Sequence, residues 1–212
     1  MSIIQFVKKA WGNILTRLYH HRFKNIMKSS RVHHTASIYN PDNLYMEDNT
    51  NIDGGAIVMN GRAKLIIKKN SGAAVDLLAI TGNHMSVVGK NLKQVTEALK
   101  EEMDINHEMD KDIVVDEDVW IGARVTLLSG AHLGRGCEIG SNSVVRGKVP
   151  PYSVVIGNPC KVVGFRFSPQ EIIEHEKQQY SVEDRLPLDL LEKNYENYFV
   201  NRIKDIKQFT KL

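Results

Sequence analysis

Two cysteines, Cys137 and Cys160, are all that this 212-residue chain contains. They are too few for a disulfide framework and lie at no metal-ligand spacing, so both read as reduced thiols. Proline and glycine are not in excess, with 6 and 15 residues, which excludes collagen-like and low-complexity classes. No apolar run approaches the roughly 18–20 residues of a membrane span. The opening MSIIQFVKKAWGNILTRLYHHRFKNIMKSS also lacks a secretory peptide's basic start, apolar middle and small-residue cleavage site, so a cytoplasmic location is expected. A composition of 42% hydrophobic and 25% charged residues is that of a soluble globular protein with a substantial core, in one large or two small domains.

Acidic residues are missing from one region altogether. Residues 1–41 contain seven basic residues (Lys8, Lys9, Arg17, Arg22, Lys24, Lys28, Arg31) and no Asp or Glu. A basic amphipathic segment can lie on an anionic membrane or bind nucleic acid. Ile4, Val7, Trp11, Leu15 and Leu18 share one helical face, however, and the expectation is that this face packs on its own domain, with no nucleic-acid partner.

What the sequence has in abundance is a six-residue period. From Val115 an aliphatic residue recurs at Val115, Ile121, Leu127, Leu133, Ile139 and Val145. Four residues after each stands a small or β-branched one: Val119, Val125, Ala131, Cys137, Ser143 and Val149. No helical period of about 3.6 explains two such columns. They describe a parallel β-helix, in which three short strands make one triangular coil and coils stack at the ordinary strand spacing of about 4.8 Å. The aliphatic column fills the prism and the small column sits near a corner, which makes Cys137 a core residue. Gly122, Gly134 and Gly140 are read as supplying corner conformations. Upstream, Val32, Ile38 and Leu44 and then Ile52 and Val58 keep the spacing in a looser register.

The β-helix is expected over 32–164, interrupted by an arm at 85–112. Within the arm, Leu92, Val95, Leu99 and Met103 have helical spacing, and Asn91 with Gln94 resembles a capping box. Ordered excursions of that length tend to be functional. Residues 1–31 form an N-terminal helical segment and 165–212 a C-terminal one. In the latter Ser168 is a cap, Pro169 the first helical residue, and Ile172, Ile173, Leu190, Leu191, Tyr195 and Phe199 the packing positions.

Three stretches, TGNH (81–84), DEDVWIGARVTLLSGAHLGRGCEIGSNSVV (116–145) and VPPYSVVIGNPCKVVG (149–164), resemble the hexapeptide-repeat acyltransferases. The look is that of the galactoside, maltose, streptogramin and polysaccharide O-acetyltransferases. The resemblance implies a left-handed β-helix, a homotrimer with active sites between adjacent prisms, and acetyl-CoA as donor. It further implies His84 as general base, Asn83 as acceptor-binding, and the Ala123 backbone N–H as oxyanion donor. Trp120, Ala123, Ser141, Arg146, Gly147 and Lys161 fall at coenzyme-contacting positions. Arg146-Gly147 stands where Thr-Lys is usual, and an arginine there retains a charge for a phosphate.

The chemistry suits these residue types. Acetyl transfer from a thioester to a hydroxyl needs a base near neutral pH, and imidazole, with an ordinary pKa of about 6.5, provides one. The tetrahedral oxyanion needs a fixed donor, whose loss can cost on the order of 3 kcal/mol. The other seven histidines (His20, His21, His33, His34, His107, His132, His175) form no ligand-like pattern, and no catalytic metal is expected. The implied activity is O-acetylation of a sugar hydroxyl in polysaccharide or glycan assembly. The alternatives are an amino-sugar nucleotide or streptogramin-like acceptor, and a non-catalytic trimeric scaffold.

Overall fold

A six-residue period whose inward column is aliphatic calls for three faces, and the computed structural model of the chain, which describes residues 2–204, has three parallel sheets. The first stacks Arg31–Val32, Asn51–Ile52, Gly72–Ala73, Trp120–Ile121, Glu138–Ile139 and Ser153–Ile156, with Lys161–Phe165 closing its edge antiparallel. The second stacks Ser37–Tyr39, Ile57–Met59, Leu78–Ile80, Thr126–Leu128 and Val144–Val145. The third stacks Leu44–Met46, Leu65–Ile67, Ile113–Val115, His132–Leu133 and Lys148–Val149. Chain order runs through the three sheets in turn, so each circuit is one coil of a parallel β-helix.

The inward column from Val115 to Val145 is buried at every step, and so is the small column from Val119 to Val149. Cys137 is fully buried, and burial pushes its thiol up. Upstream, three strands of the third sheet carry two inward residues each: Leu44 with Met46, Leu65 with Ile67, and Ile113 with Val115. Partners are consequently 20 residues apart at Arg31↔Asn51 and 21 at Asn51↔Gly72, against 18 at Trp120↔Glu138. Those extra residues shift the phase on every circuit, which is why the upstream register is ambiguous in the sequence.

The glycine reading is corrected. Gly122 and Gly134 do not have positive φ; they are places where coils approach too closely for a Cβ, which at Gly134 would stand 2.7 Å from Val149 O and Pro151 N. The left-handed corner positions fall instead at Asp118, Arg124, Gly130, Gly136 and Asn142, mostly residue types that tolerate that region.

The arm expectation is also adjusted. Asn91 and Gln94 form their reciprocal cap, but around the single 3-10 turn Leu92–Gln94. The arm's α-helix begins later, at Glu97–Met103, with Thr96 as its cap. Val95 is buried, whereas Leu92 and Met103 face solvent.

The N-terminal helix, α1 (Ile3–His20), departs further from expectation. Most of its apolar stripe does not pack on the domain: Ile4, Val7, Trp11 and Leu18 are 69%, 56%, 61% and 61% exposed, and of the five expected positions Leu15 alone is half-buried. Contact with the prism is made by Gly12, Leu15, Thr16 and Tyr19. The Tyr19 hydroxyl donates to Ala36 O at 2.7 Å, and Thr16 Oγ1 lies 3.1 Å from His34 Nδ1. The site anchoring α1 is polar and small, not the periodic apolar face.

At the other end, a helix at Pro169–Gln179 and another at Leu188–Tyr198 cap the prism. Ile172 and Leu191 are buried beside Tyr152, and Tyr195 and Phe199 stack near Phe165. Buried Glu176 accepts from the Tyr152 hydroxyl and pairs with Arg135 at 3.0 Å. Burial and that carboxylate push the Tyr152 hydroxyl well up.

Candidate active site

The chain leaves the second sheet at Ile80, and TGNH follows. Thr81 is fully buried; its Oγ1 donates to Ala63 O at 3.2 Å and accepts from Gly61 N at 2.9 Å. Gly82 is a tight place for a side chain, since a Cβ would stand 3.0 Å from Asp110 Oδ1. The Asn83 backbone N–H donates to that same oxygen at 3.1 Å, and its Nδ2 donates to Met109 O at 2.8 Å. Three of the four residues thus tie the strand end to the returning arm. His84, exposed like Asn83, is the one that takes no part in these ties, and it lines a cleft of about 520 Å³.

Asp110 is the hub of that tie. Its carboxylate, 1% exposed, accepts from Lys100 Nζ at 2.7 Å and Arg62 Nε at 2.8 Å. Arg62 also reaches Asp104, at 2.5 Å. Burial pushes the Asp110 carboxyl up, but hydrogen bonds from Lys100, Arg62 and the Asn83 amide outweigh it, and its pKa falls below the usual range. Asp104 behaves alike: against burial stand the Met109 amide, Arg62 and the Glu108 amide. This network was invisible in the sequence because its members are up to 48 residues apart. Asn60, 3% exposed and on the same cleft, was missed too; its Oδ1 is buried with no hydrogen-bond partner among the described residues.

The expected coenzyme-contacting residues lie elsewhere on the prism. Trp120 projects from the first sheet, 52% exposed. Ala123 and Ser141 occupy stacked corners between the first and second sheets, joined where Asn142 N donates to Ala123 O at 3.0 Å. Among the described residues the Ala123 N–H makes no hydrogen bond. Arg146 and Gly147 form the turn from the second sheet to the third; Gly147 has φ of +80° and faces open space. Lys161 begins the antiparallel edge strand beside them, and burial pushes the neighbouring Cys160 thiol up, so neither cysteine has the character of a nucleophile.

Within one chain, then, the cleft collects His84 and Asn83 but none of the other expected residues. His84 stands on the edge between the second and third sheets, and Ala123 and Ser141 on the edge between the first and second. A face about six residues wide separates these edges by roughly 15–20 Å, too far for one acetyl group to meet both. Among the described residues, no group of three or more His, Cys, Asp or Glu could hold a metal.

Residues 112–147 match the family model described as bacterial transferase hexapeptide (six repeats). A chloramphenicol acetyltransferase of Escherichia coli is 44% identical over 61 residues, 29% of this chain and 29% of its own length. An E. coli K12 protein named for O-acetyl transfer in lipopolysaccharide biosynthesis is 43% identical over 51 residues, 24% of this chain and 26% of its own. The chain thus spans well under two thirds of the curated relatives it matches. Among solved structures, a hexapeptide-repeat acetyltransferase from Vibrio cholerae O1 biovar eltor, complexed with acetyl coenzyme A, superposes with a TM-score of 0.55 at 21% identity, covering 79% of this chain and 81% of that one. Fold and repeat together define a left-handed parallel β-helix of hexapeptide type with helical segments. In that repeat, that fold and the acetyltransferases it matches in part, the chain is similar to the hexapeptide-repeat acetyltransferases.

Proposed function

We propose that the protein is an acetyl-CoA-dependent O-acetyltransferase acting on a sugar hydroxyl, with His84 as general base. The observation that carries this reading is the local architecture of TGNH. The chain engages Thr81, Gly82 and Asn83 in holding the arm root and leaves an exposed imidazole over a cleft lined by polar and charged groups.

His84 accepts the proton of an acceptor hydroxyl as that oxygen attacks the thioester carbonyl carbon. The carbonyl oxygen becomes an oxyanion held by the Ala123 N–H of an adjacent subunit. Collapse of the tetrahedral intermediate breaks the C–S bond, and the imidazolium returns its proton to the departing thiolate. No covalent acyl-enzyme is needed, in keeping with two thiols whose pKa is raised. The unpartnered Asn60 Oδ1 offers an acceptor for a second hydroxyl, which suits a polyol acceptor. Trp120 supplies an apolar surface for the pantetheine arm, and Arg146 a charge for the phosphates. The assembly this demands is a homotrimer with sites between prisms.

The test is calorimetric titration of acetyl-CoA into wild type, His84→Ala, Trp120→Ala and Lys161→Ala, with thiol release followed over a panel of oligosaccharide acceptors. We expect near one site per chain, affinity lost in Trp120→Ala and Lys161→Ala, and His84→Ala binding acetyl-CoA normally while turnover falls by roughly 10²–10⁴. Near-normal turnover by His84→Ala removes the base assignment; no binding by folded wild type favours the scaffold reading.

A further inference from the structure

Helix α1 meets the prism with the wrong face for a globular helix. At 100° per residue, the exposed Ile4, Val7, Trp11, Ile14 and Leu18 fall within an arc of about 80°, and the contacting Gly12, Thr16 and Tyr19 lie about 130° around from it. The stripe runs the whole helix, about 27 Å at 1.5 Å per residue, and turns away from the molecule. Polar anchoring by Thr16 and Tyr19 holds it there.

Charge identifies what the stripe faces. Within residues 1–41 there is no acidic side chain. Lys24 and Arg31 are paired with Asp42 and Asp53 of the prism, whereas Lys8, Lys9, Arg17 and Lys28 make no ion pair among the described residues. The equivalent helix of a second copy would bring the same basic charge against this one. Nucleic acid would match the charge but not a continuous stripe of Ile, Val, Trp and Leu. An anionic bilayer matches both, because an interfacial helix buries its apolar side at the acyl boundary while flanking cations meet the headgroups.

We propose that α1 docks the protein on an anionic lipid surface, with Ile4, Val7, Trp11, Ile14 and Leu18 in the interface and Lys8 and Arg17, which flank the stripe, among the headgroups. No helix among the described residues is long and apolar enough to cross a membrane, so the contact lies in the plane of the surface. The proposal goes beyond the acetyltransferase reading and does not depend on it.

The experiment uses the full chain carrying Trp120→Phe, which leaves Trp11 as the single tryptophan. Vesicles of phosphatidylcholine alone are compared with vesicles containing roughly 30 mol% phosphatidylglycerol, by sedimentation and by Trp11 emission. Expected are a blue shift and partitioning on the order of a hundredfold stronger on the anionic vesicles, much weakened by molar salt. Val7→Glu with Leu18→Glu should abolish both signals, and Lys8→Glu with Arg17→Glu should remove the lipid preference. All four positions are exposed, and circular dichroism with light scattering on the same samples checks fold and assembly. The proposal is overturned by absence of binding to anionic vesicles, by binding undiminished in both variants, or by a stripe variant that changes only the number of chains per particle. The last outcome would assign the stripe to a second copy.

Discussion

At the scale of single residues, the corner that would hold the oxyanion is set by a hydrogen atom at Gly122. A Cβ there would stand 2.8 Å from Ile139 O and Ser141 N and 2.9 Å from Ser141 Oγ. Two of those atoms are backbone of the next coil and cannot swing aside. Gly122→Ala should therefore push two coils apart at the point where Ala123 and Ser141 stack, at a cost of about 1–3 kcal/mol. For a chain of this size that is a fall of roughly 2–4 °C in Tm per kcal/mol, read by thermal unfolding, with acetyl-CoA affinity falling in parallel. Gly164→Ala, where an added Cβ meets nothing within 4 Å, is the control and should change neither. The sequence marked Gly122 as special but suggested the wrong property. A repeat pattern cannot distinguish a glycine needed for its φ from one needed for its size, because that depends on what the next coil places opposite.

At the scale of elements, the arm is held by charge more than by apolar contact. Asp110→Asn would leave Lys100 and Arg62 packed without their shared counter-charge, a change that typically costs 3–5 kcal/mol for a buried pair. The new amide nitrogen would also face Arg62 Nε, a donor set against a donor at the root of the arm. The expected result is loss of hydrogen-exchange protection over 97–110, with the strand Leu78–Ile80 still protected. The same network predicts an acid transition. Asp104 and Asp110 have folded pKa values below the ordinary carboxylate value of about 3.9. Their contribution is complete above that value and is lost as the pH falls through the lower folded one. Protection of the arm should hold down to about pH 4 and fall below it, and Asp110→Asn should flatten much of that dependence. These elements were unequally legible. From Val115 to Val145 partners stand 18 residues apart, as at Trp120↔Glu138 and Thr126↔Val144, and the period is plain, whereas the last coil shortens to 16 at His132↔Lys148 and upstream the paired inward residues of the third sheet break the phase. The arm's network joins Arg62 to residues beyond the arm's tip, and no local pattern carries that. In α1 the apolar stripe was read correctly as a stripe, but its destination was not, because Gly12, Thr16 and Tyr19 give no periodic signal.

At the scale of the whole molecule, one prism carries its expected base and its expected oxyanion donor on different edges. The proposed mechanism would therefore need a neighbour, and under that proposal a closed three-fold ring would set the second–third edge of each chain against the first–second edge of the next. This arrangement makes a prediction that no single-chain site shares. His84→Ala lacks the base on one edge but keeps an intact donor edge; a donor-edge variant such as Trp120→Ala lacks the reverse. Each alone should be inactive. When the two are unfolded together and reassembled at equal amounts, a site is whole wherever a Trp120→Ala chain offers His84 to the donor edge of a His84→Ala chain. Random mixing makes that true of about a quarter of sites, so roughly a quarter of wild-type turnover should return, while simple mixing of preformed particles should restore none. Recovery would tie the base and the donor edge to one composite site. If mixed particles form, as detected by a mass tag on one variant, and turnover stays at the level of the parents, then His84 and Trp120 act within one chain and the edge-to-edge assembly is wrong.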